Sequence, residues 1–502
     1  MSTPSSRVQL KKYVLLLALM GLASLFIMTY VTLTHAPAED AVILHQYSRN
    51  LAETGTISYI PGGVHAEGAT DFLWMLYIAL GFKLHLSPTV STAIANIICA
   101  FALSYVLLRL ARRPFRWVYA LAVLGALALM PQTISAVAGF SVLPFGLAIA
   151  TTVLFSEEKK DRATAISAIV LCLLRPDGVV FAIPIIIRRL WRFSRESSFS
   201  AYGLLFVLPG IVYFLWRWHY FGYFFPLPFL VKSDTHRVWH IFAPTGHELI
   251  RYLLFAAFIL GAALGKQVLK PAESSFLFAV ILLPALFYSA MRLDQNIFFR
   301  FYYFIPLGIA MILAMHWDSL ELGRGAVFAA ILFAFILLLA KVDIESVKEY
   351  RLISAYWLRN ERIATQLSAM RGTLLTSEAG EFAYFSRWTT YDSWGLDTPE
   401  FATHLIVPED VTELKPDLIA LHTSDCTPRI KPVSHIRGFD MMFANIETGI
   451  ARLNNYQTWR MTTPSSSEVD RITVCWYIHS DYVGKDRVAS ILAANGGVLL
   501  AQ

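Results

Sequence analysis

The sequence predicts a polytopic α-helical membrane protein of about 11 transmembrane helices with a C-terminal extracytoplasmic α/β domain. Three observations predict it. Of 502 residues, 56% are hydrophobic and only 16% charged, more apolar surface than a soluble core can hide. Apolar runs recur from Tyr13 to Lys341, and basic clusters fall in the short loops between them. Beyond Val342 the composition turns polar, and short β-like runs alternate with helix-like ones. The net charge of +6 therefore reflects cytoplasmic loops and excludes a nucleic-acid reading.

The elements follow in order. Tyr13–Thr34 is too long for a signal-peptide core and lacks a small-residue cleavage site after it, so it is the first span. Arg7, Lys11 and Lys12 precede it and put the N-terminus in the cytoplasm. The stretch Asp71–Leu86 is apolar but short. Treating it as a span would place Arg109, Arg112, Arg113 and Arg116 outside, so it is an interfacial or re-entrant helix. Later spans are expected at Ser91–Leu110, Trp117–Pro131, Ser141–Phe155, Ala163–Leu174, Gly178–Ile187 and Ala201–Arg217. The last four follow at Leu249–Gly265, Ser275–Met291, Phe304–Trp317 and Ala326–Lys341. An odd count leaves the C-terminal region outside. The expected division is a transmembrane catalytic domain over 1–341, with its first outer loop at 35–90, and a soluble domain over 342–502. Strands are expected at Gly372–Ser377, Asp417–Leu421 and Ile472–Ile478. Of four cysteines, Cys99 and Cys172 sit in apolar runs as packing residues, while Cys426 and Cys475 are able to pair in an oxidising compartment.

The first outer loop holds the densest chemistry. Glu39-Asp40-Ala41 is followed by Tyr47, Arg49-Asn50-Leu51, Ile60-Pro61-Gly62-Gly63 and Glu67–Trp74. Adjacent carboxylates either solvate a helix start or separate in pKa so that one serves as a base near neutral pH. Arg175-Pro176-Asp177-Gly178 joins two short spans. It is either a plain Pro-x-Gly turn or a functional one, since Arg and Asp near bilayer depth are costly unless paired or facing a cavity. The loop Tyr220–Ser233 is aromatic, as interface anchors are, but Lys232 is a cation placed to meet phosphate. In Arg292–Tyr303, Arg292 suits a headgroup anchor. Arg300 either snorkels or grips two phosphate oxygens with its guanidinium. His236 and His240 have i,i+4 spacing with His247 beyond, yet no acid or cysteine clusters with them, so they are structural or solvated histidines and not a zinc site.

These motifs resemble those of GT-C membrane glycosyltransferases, specifically the branch containing the mycobacterial terminal arabinofuranosyltransferase and its bacterial relatives. Members carry an acidic pair with Ala, a Tyr-x-x-Arg-Asn-Leu helix, an Asn-Pro-Gly turn and Glu-Gly-aromatic-Thr-Asn-x-Leu-Trp. Here Glu39 stands for the first Asp, Ala69 for the aromatic and Asp71 for Asn, which bears on the sugar more than the chemistry. Arg175–Gly178 resembles the branch's Arg-Pro-Glu-Gly. Tyr220–Ser233 matches in part, without its usual Asp and Asn. Thr376–Gly380 with Tyr391–Asp397 resembles a Ser-Asp-Ala-Gly…Asp-x-x-Gly-Leu run.

The resemblance implies a GT-C fold at the bacterial cytoplasmic (inner) membrane. It implies transfer of a sugar from a polyprenyl-phosphate donor to a cell-envelope glycan, glycolipid or protein acceptor on the outer side. Asp40, then Glu39, would activate the acceptor hydroxyl. Arg300, Lys232 and Arg175 would hold the donor phosphate, and Tyr47, Arg49, Glu67, Asp71 and Trp74 would shape the pocket. The C-terminal domain would guide the acceptor or act as a lid, or serve as a folding cap without substrate contact. Some GT-C enzymes use a divalent cation and others do not, so that cofactor stays open. Two alternatives remain. A lipid-linked-saccharide transporter or flippase would show paired charges within spans and repeated halves. A non-catalytic envelope assembly scaffold would tolerate loss of Asp40.

Overall fold

The computed structural model describes residues 4–128, 132–193, 196–233, 244–264, 271–291, 293, 296–316, 348, 350–423, 425–463 and 472–500. Helix α1 (Pro4–Thr34) leads into α2 (Glu39–Thr54) through a Pro37 bend. Helix α2 carries both acids in its first turn, where they complement the positive end of the helix dipole. It stops at Gly55, whose left-handed backbone caps Leu51. Helix α3 (Phe72–Lys83) is the expected short apolar helix of the first loop. Ser87 then caps α4 (Pro88–Leu110) by accepting the Val90 N–H, with Pro88 at its first position.

The remaining bundle is α5 (Trp117–Ala128), α6 (Thr133–Val137), α7 (Val142–Glu157), α8 (Asp161–Leu174) and α9 (Val179–Phe193). It continues with α10 (Glu196–Tyr202), α11 (Leu208–Phe221), α12 (Leu227–Ser233), α13 (Pro244–Leu264), α14 (Pro271–Leu277), α15 (Leu283–Ala290) and α16 (Phe304–Met315). Among the described residues, four stretches are long and apolar enough to cross a membrane unaided: Leu15–Thr34, Pro88–Leu110, Phe199–Phe221 and Ile297–Met315. Only 6% of the apolar 18-residue window within Phe199–Phe221 is buried, so this helix presents a largely uncovered apolar surface among the described residues. Residues 326–341, expected as the eleventh span, lie outside the described residues, as do Arg292, His236 and His240.

The C-terminal region opens with α17 (350–367) and forms a six-stranded sheet. Its strands are β1 (Thr373–Thr376), β2 (Thr389–Asp392), β3 (Leu418–Leu421), β4 (Tyr456–Thr462), β5 (Thr473–His479) and β6 (Val498–Leu499). The order is β2-β1-β3-β5-β4-β6. β1 runs parallel to β2 and β3, while β5 runs antiparallel to β3 and β4. The three strands expected from sequence are β1, β3 and β5. Helices α18 (Glu381–Ser386), α19 (Pro399–Thr403), α20 (Pro408–Leu414), α21 (Phe439–Leu453) and α22 (Lys485–Ala494) complete the region. Central β3 is buried at every residue, which explains its unbroken Leu-Ile-Ala-Leu run. Cys426 and Cys475 are disulfide-bonded, with Cα atoms 5.2 Å apart.

The segment over 35–90 and this region share one apolar core. Ile43, Leu44, Tyr47, Tyr59 and Trp74 pack in one cluster with Leu375, Ala379, Trp394, Phe401 and Ile446. That shared core positions the site described next.

Candidate active site

Residues 39 and 40 are neighbours on a helix, so their side chains point about 100° apart. They face different partners. Asp40 Oδ2 accepts a 2.6 Å hydrogen bond and ion pair from Arg300 Nη2. Glu39 Oε1 accepts the Gly380 N–H at 2.6 Å. A Cβ on Gly380 would lie 2.3 Å from the Glu39 carbonyl oxygen, so only glycine allows this approach. Burial and the Asp40, Glu378 and Glu381 charges hold the Glu39 carboxyl well above its ordinary pKa. Burial raises Asp40 too, but the Arg300 charge and hydrogen bond, with Lys232 behind them, outweigh it and keep Asp40 ionised.

Asp40 lines a cavity of about 160 Å³. Ala41, Ile43 and Leu44 line it from α2, with Gly68–Asp71 and Trp74 from the first loop. Gly139, Phe140 and Ser141 join from the α6–α7 turn, and Leu396 and Asp397 from the loop between β2 and α19. Its cations are Arg175, Lys232 and Arg300, contributed by three segments far apart in sequence. Arg300 packs its guanidinium 4.0 Å from the Phe140 ring centroid. Arg175 is locked through both oxygens of Asp177, at 3.0 and 2.9 Å, and Tyr288 donates to the same carboxylate. Lys232 has no hydrogen-bond or ion-pair partner among the described residues. Burial and the Arg300 and Arg175 charges lower its pKa, against the pull of Asp40. Asp71 accepts from Ser141, and Trp74 donates to the Gly139 carbonyl at 3.2 Å, which fixes the cavity wall.

Thus Asp40, Arg300, Lys232, Arg175, Asp71 and Trp74 meet at one cavity. The other singled-out residues stand behind it. Glu39 turns to Gly380. The Tyr47 hydroxyl accepts the Gly68 N–H at 3.1 Å. Arg49 donates to the Tyr384 carbonyl at 2.6 Å and covers that ring at 4.4 Å, tying α2 to α18. Glu67 forms a buried ion pair with Arg217, at 2.5 Å, whose Nη1 also donates to the Phe224 carbonyl at 2.8 Å. Phe140, Ser141 and Asp397 were not singled out from sequence. Ser141 carried a faint signal as a polar residue opening an apolar run. Asp397 closed a noted motif without an assigned role. Among the described residues, no group of three or more His, Cys, Asp or Glu side chains is arranged to hold a metal ion.

A larger cavity, about 670 Å³, is lined by Arg109, Arg112, Arg113, Glu157, Glu158, Arg188 and neighbours. It lies at the far ends of α7 and α16, roughly 24 Å from the first by the rise of the 16-residue α7. Glu157 pairs with Arg188 at 2.5 Å and Glu158 with Arg109, so both of its carboxylates are engaged and its lining keeps an excess of arginine. Size alone does not make it the reactive site. The smaller cavity combines the ionised Asp40 carboxylate with Lys232, a cation without an ion-pair partner among the described residues.

Comparison with known proteins bears on this geometry. A crystal structure of ArnT from Cupriavidus metallidurans bound to undecaprenyl phosphate aligns with TM-score 0.50 and 12% identity, covering 91% of this chain and 97% of that one. The chain shares the fold of ArnT. The apo ArnT structure from the same organism aligns with TM-score 0.51 and 14% identity, over 91% and 97% of the two chains. At such identities the likeness speaks for the fold. Residues 345–478 match a family model described as a domain of unknown function, DUF8728. No curated protein matches the chain.

Proposed function

We propose that the chain is a membrane glycosyltransferase that moves a sugar from a polyprenyl-phosphate donor to a cell-envelope glycan or glycolipid on the outer side of the cytoplasmic membrane. The observation that carries this reading is the Asp40 carboxylate sharing one cavity with Arg300, Lys232 and Arg175. The GT-C fold, found in an ArnT bound to undecaprenyl phosphate, supports it. In this reading the N-terminus is cytoplasmic, and the C-terminal domain, about residues 342–502, is extracytoplasmic.

At about 160 Å³ the cavity is smaller than the ~300–1,000 Å³ of usual ligand pockets. It takes the sugar and phosphate, and the prenyl tail stays among the apolar helices. The phosphate sits with Arg300 and Lys232, and Arg175 adds fixed positive charge. Once a phosphate shares Arg300, less positive charge acts on Asp40, so its basicity rises as the donor arrives. Asp40 then takes the proton of the acceptor hydroxyl. That oxygen bonds to the anomeric carbon as the bond from that carbon to the phosphate oxygen breaks. The electron pair leaves on the phosphate, where the cations stabilise it. Glu39, which accepts the Gly380 N–H and does not line the cavity, supports α2 and stands second to Asp40 as the base.

Purified protein offered a panel of polyprenyl-phosphate pentoses and hexoses tests the proposal. Sugar-dependent release of polyprenyl phosphate, lost in Asp40→Asn, is the expected result. Lipid flux across proteoliposomes without sugar transfer would replace it with a transporter.

A further inference from the structure

Asp397 is the C-terminal domain's own carboxyl in the cavity. It is 2% exposed, its near polar neighbour is the Tyr47 hydroxyl, and among the described residues no cation pairs with it. A buried carboxyl with a neutral hydroxyl beside it and no counter-charge costs stability unless something else needs it there. The loop that carries it is built rigidly. Asp392, the last residue of β2, accepts backbone N–H groups from Trp394 at 2.9 Å, Leu396 at 2.6 Å and Asp397 at 3.1 Å. Arg437 clamps the same loop through the carbonyls of Trp394 at 2.8 Å and Phe401 at 3.0 Å. On the opposite side, a Cβ at Gly68 would lie 1.9 Å from Asp397 Oδ1 and 2.6 Å from the Tyr47 hydroxyl. Glycine at 68 therefore leaves room for this carboxyl.

We propose that Asp397 is a specificity-determining residue that meets the transferred sugar as a carboxylic acid, giving its O–H to one sugar hydroxyl and accepting from another. The inference rests on the proposed function and adds the C-terminal domain to the substrate pocket. The chemistry suits the place. A neutral acid offers one donor and one acceptor, as a sugar hydroxyl pair does, and does not repel the phosphate held nearby. The groups facing it favour that form. Burial acts first, then the Asp392 charge, and Asp40 adds to both, so the carboxyl is held well above its ordinary pKa. Tyr47 opposes them. Tyr59 lies within electrostatic reach, and Asp71, Arg300, Lys232 and Arg175 line the same cavity.

Two measurements on the full-length protein in detergent test this. The first is thermal melting of the native protein and Asp397→Asn across pH. A raised folded pKa means stability that is complete below about pH 4 and lost as pH rises through the folded value. The two proteins should melt alike near pH 4, and Asp397→Asn should melt progressively higher as pH rises toward 7. A difference that does not vary with pH overturns the protonated carboxyl. The second is steady-state kinetics with polyprenyl-phosphate sugars. Asp397→Ala should raise the donor KM by about tenfold or more, with Asp397→Asn recovering most of that loss and flattening the alkaline limb of the pH profile. Equal losses in Ala and Asn, or an effect on kcat alone, overturn the sugar contact. A native protein that turns over no donor overturns the proposed function and the sugar contact together, while the melting series still decides the protonation state.

Discussion

Replacing Asp40 by Asn should move lipid binding and turnover in opposite directions. The Arg300–Asp40 pair is 2.6 Å long, with side chains 6% and 15% exposed. Charge centres about 4 Å apart at an effective dielectric near 20 attract by roughly 4 kcal/mol before desolvation is counted. A donor phosphate must draw Arg300 partly away from that attraction. Asn keeps an oxygen for the guanidinium but removes the charge. If a quarter to a half of the attraction is released, polyprenyl phosphate binds about 5- to 30-fold tighter. The same change removes the base, which contributes about 10²- to 10⁴-fold to proton transfer. Binding of undecaprenyl phosphate, followed by quenching of intrinsic Trp fluorescence, and sugar-dependent lipid release in the same preparation give both numbers. Native turnover in Asp40→Asn would refute the base assignment. Weaker lipid binding in that variant would refute the competition between carboxylate and phosphate.

Arg300→Ala should weaken undecaprenyl phosphate binding by about 10- to 100-fold, the worth of a charged hydrogen bond, measured in the same titration. Glu67→Gln leaves Arg217 buried without its counter-charge, so it should lower stability by about 3 kcal/mol or more in chemical unfolding, with donor KM in the surviving folded enzyme nearly unchanged. Reducing the Cys426–Cys475 bridge frees a loop with a sequence separation of 49, and chain entropy places the loss near 4 kcal/mol at most. Melting with and without reductant reads it. The Asp40–Arg300 pair also predicts acid sensitivity. Asp40's folded pKa lies below its unfolded value, so the pair's stability is present above about pH 4 and lost as pH falls through the folded value. The melting temperature of Asp40→Asn should therefore approach that of the native protein at low pH.

Much of this architecture was legible in sequence because the bilayer imposes long apolar runs and cationic inner loops. The described helices α4, α7, α8 and α13 fall where those runs predict them. The short α3 was readable because a helix of 12 residues covers too little of a bilayer. The doublet at 39–40 was readable as a feature but not as a choice. Only the packing of α2 against the Gly380 loop decides which carboxyl faces the cavity. Phe140, Ser141 and Asp397 carry no local pattern that distinguishes them, since their role comes from contacts across more than 65 positions. Among them, Ser141 meets Asp71 at a separation of 70 residues.

The hydrogen bond from Gly380 to Glu39 spans 341 positions of the chain. A ribosome adding about 5–20 residues per second needs tens of seconds to cover that interval. Throughout it, α2 can pack against α3 but lacks the donor that its Glu39 carboxyl meets in the finished protein. The cavity, whose wall includes Leu396 and Asp397, is thus incomplete until the last quarter has emerged and folded. Any truncated product stopped before Gly380 leaves Glu39 without this hydrogen bond and the apolar face of the first loop without Leu375, Ala379 and Trp394 completing its core.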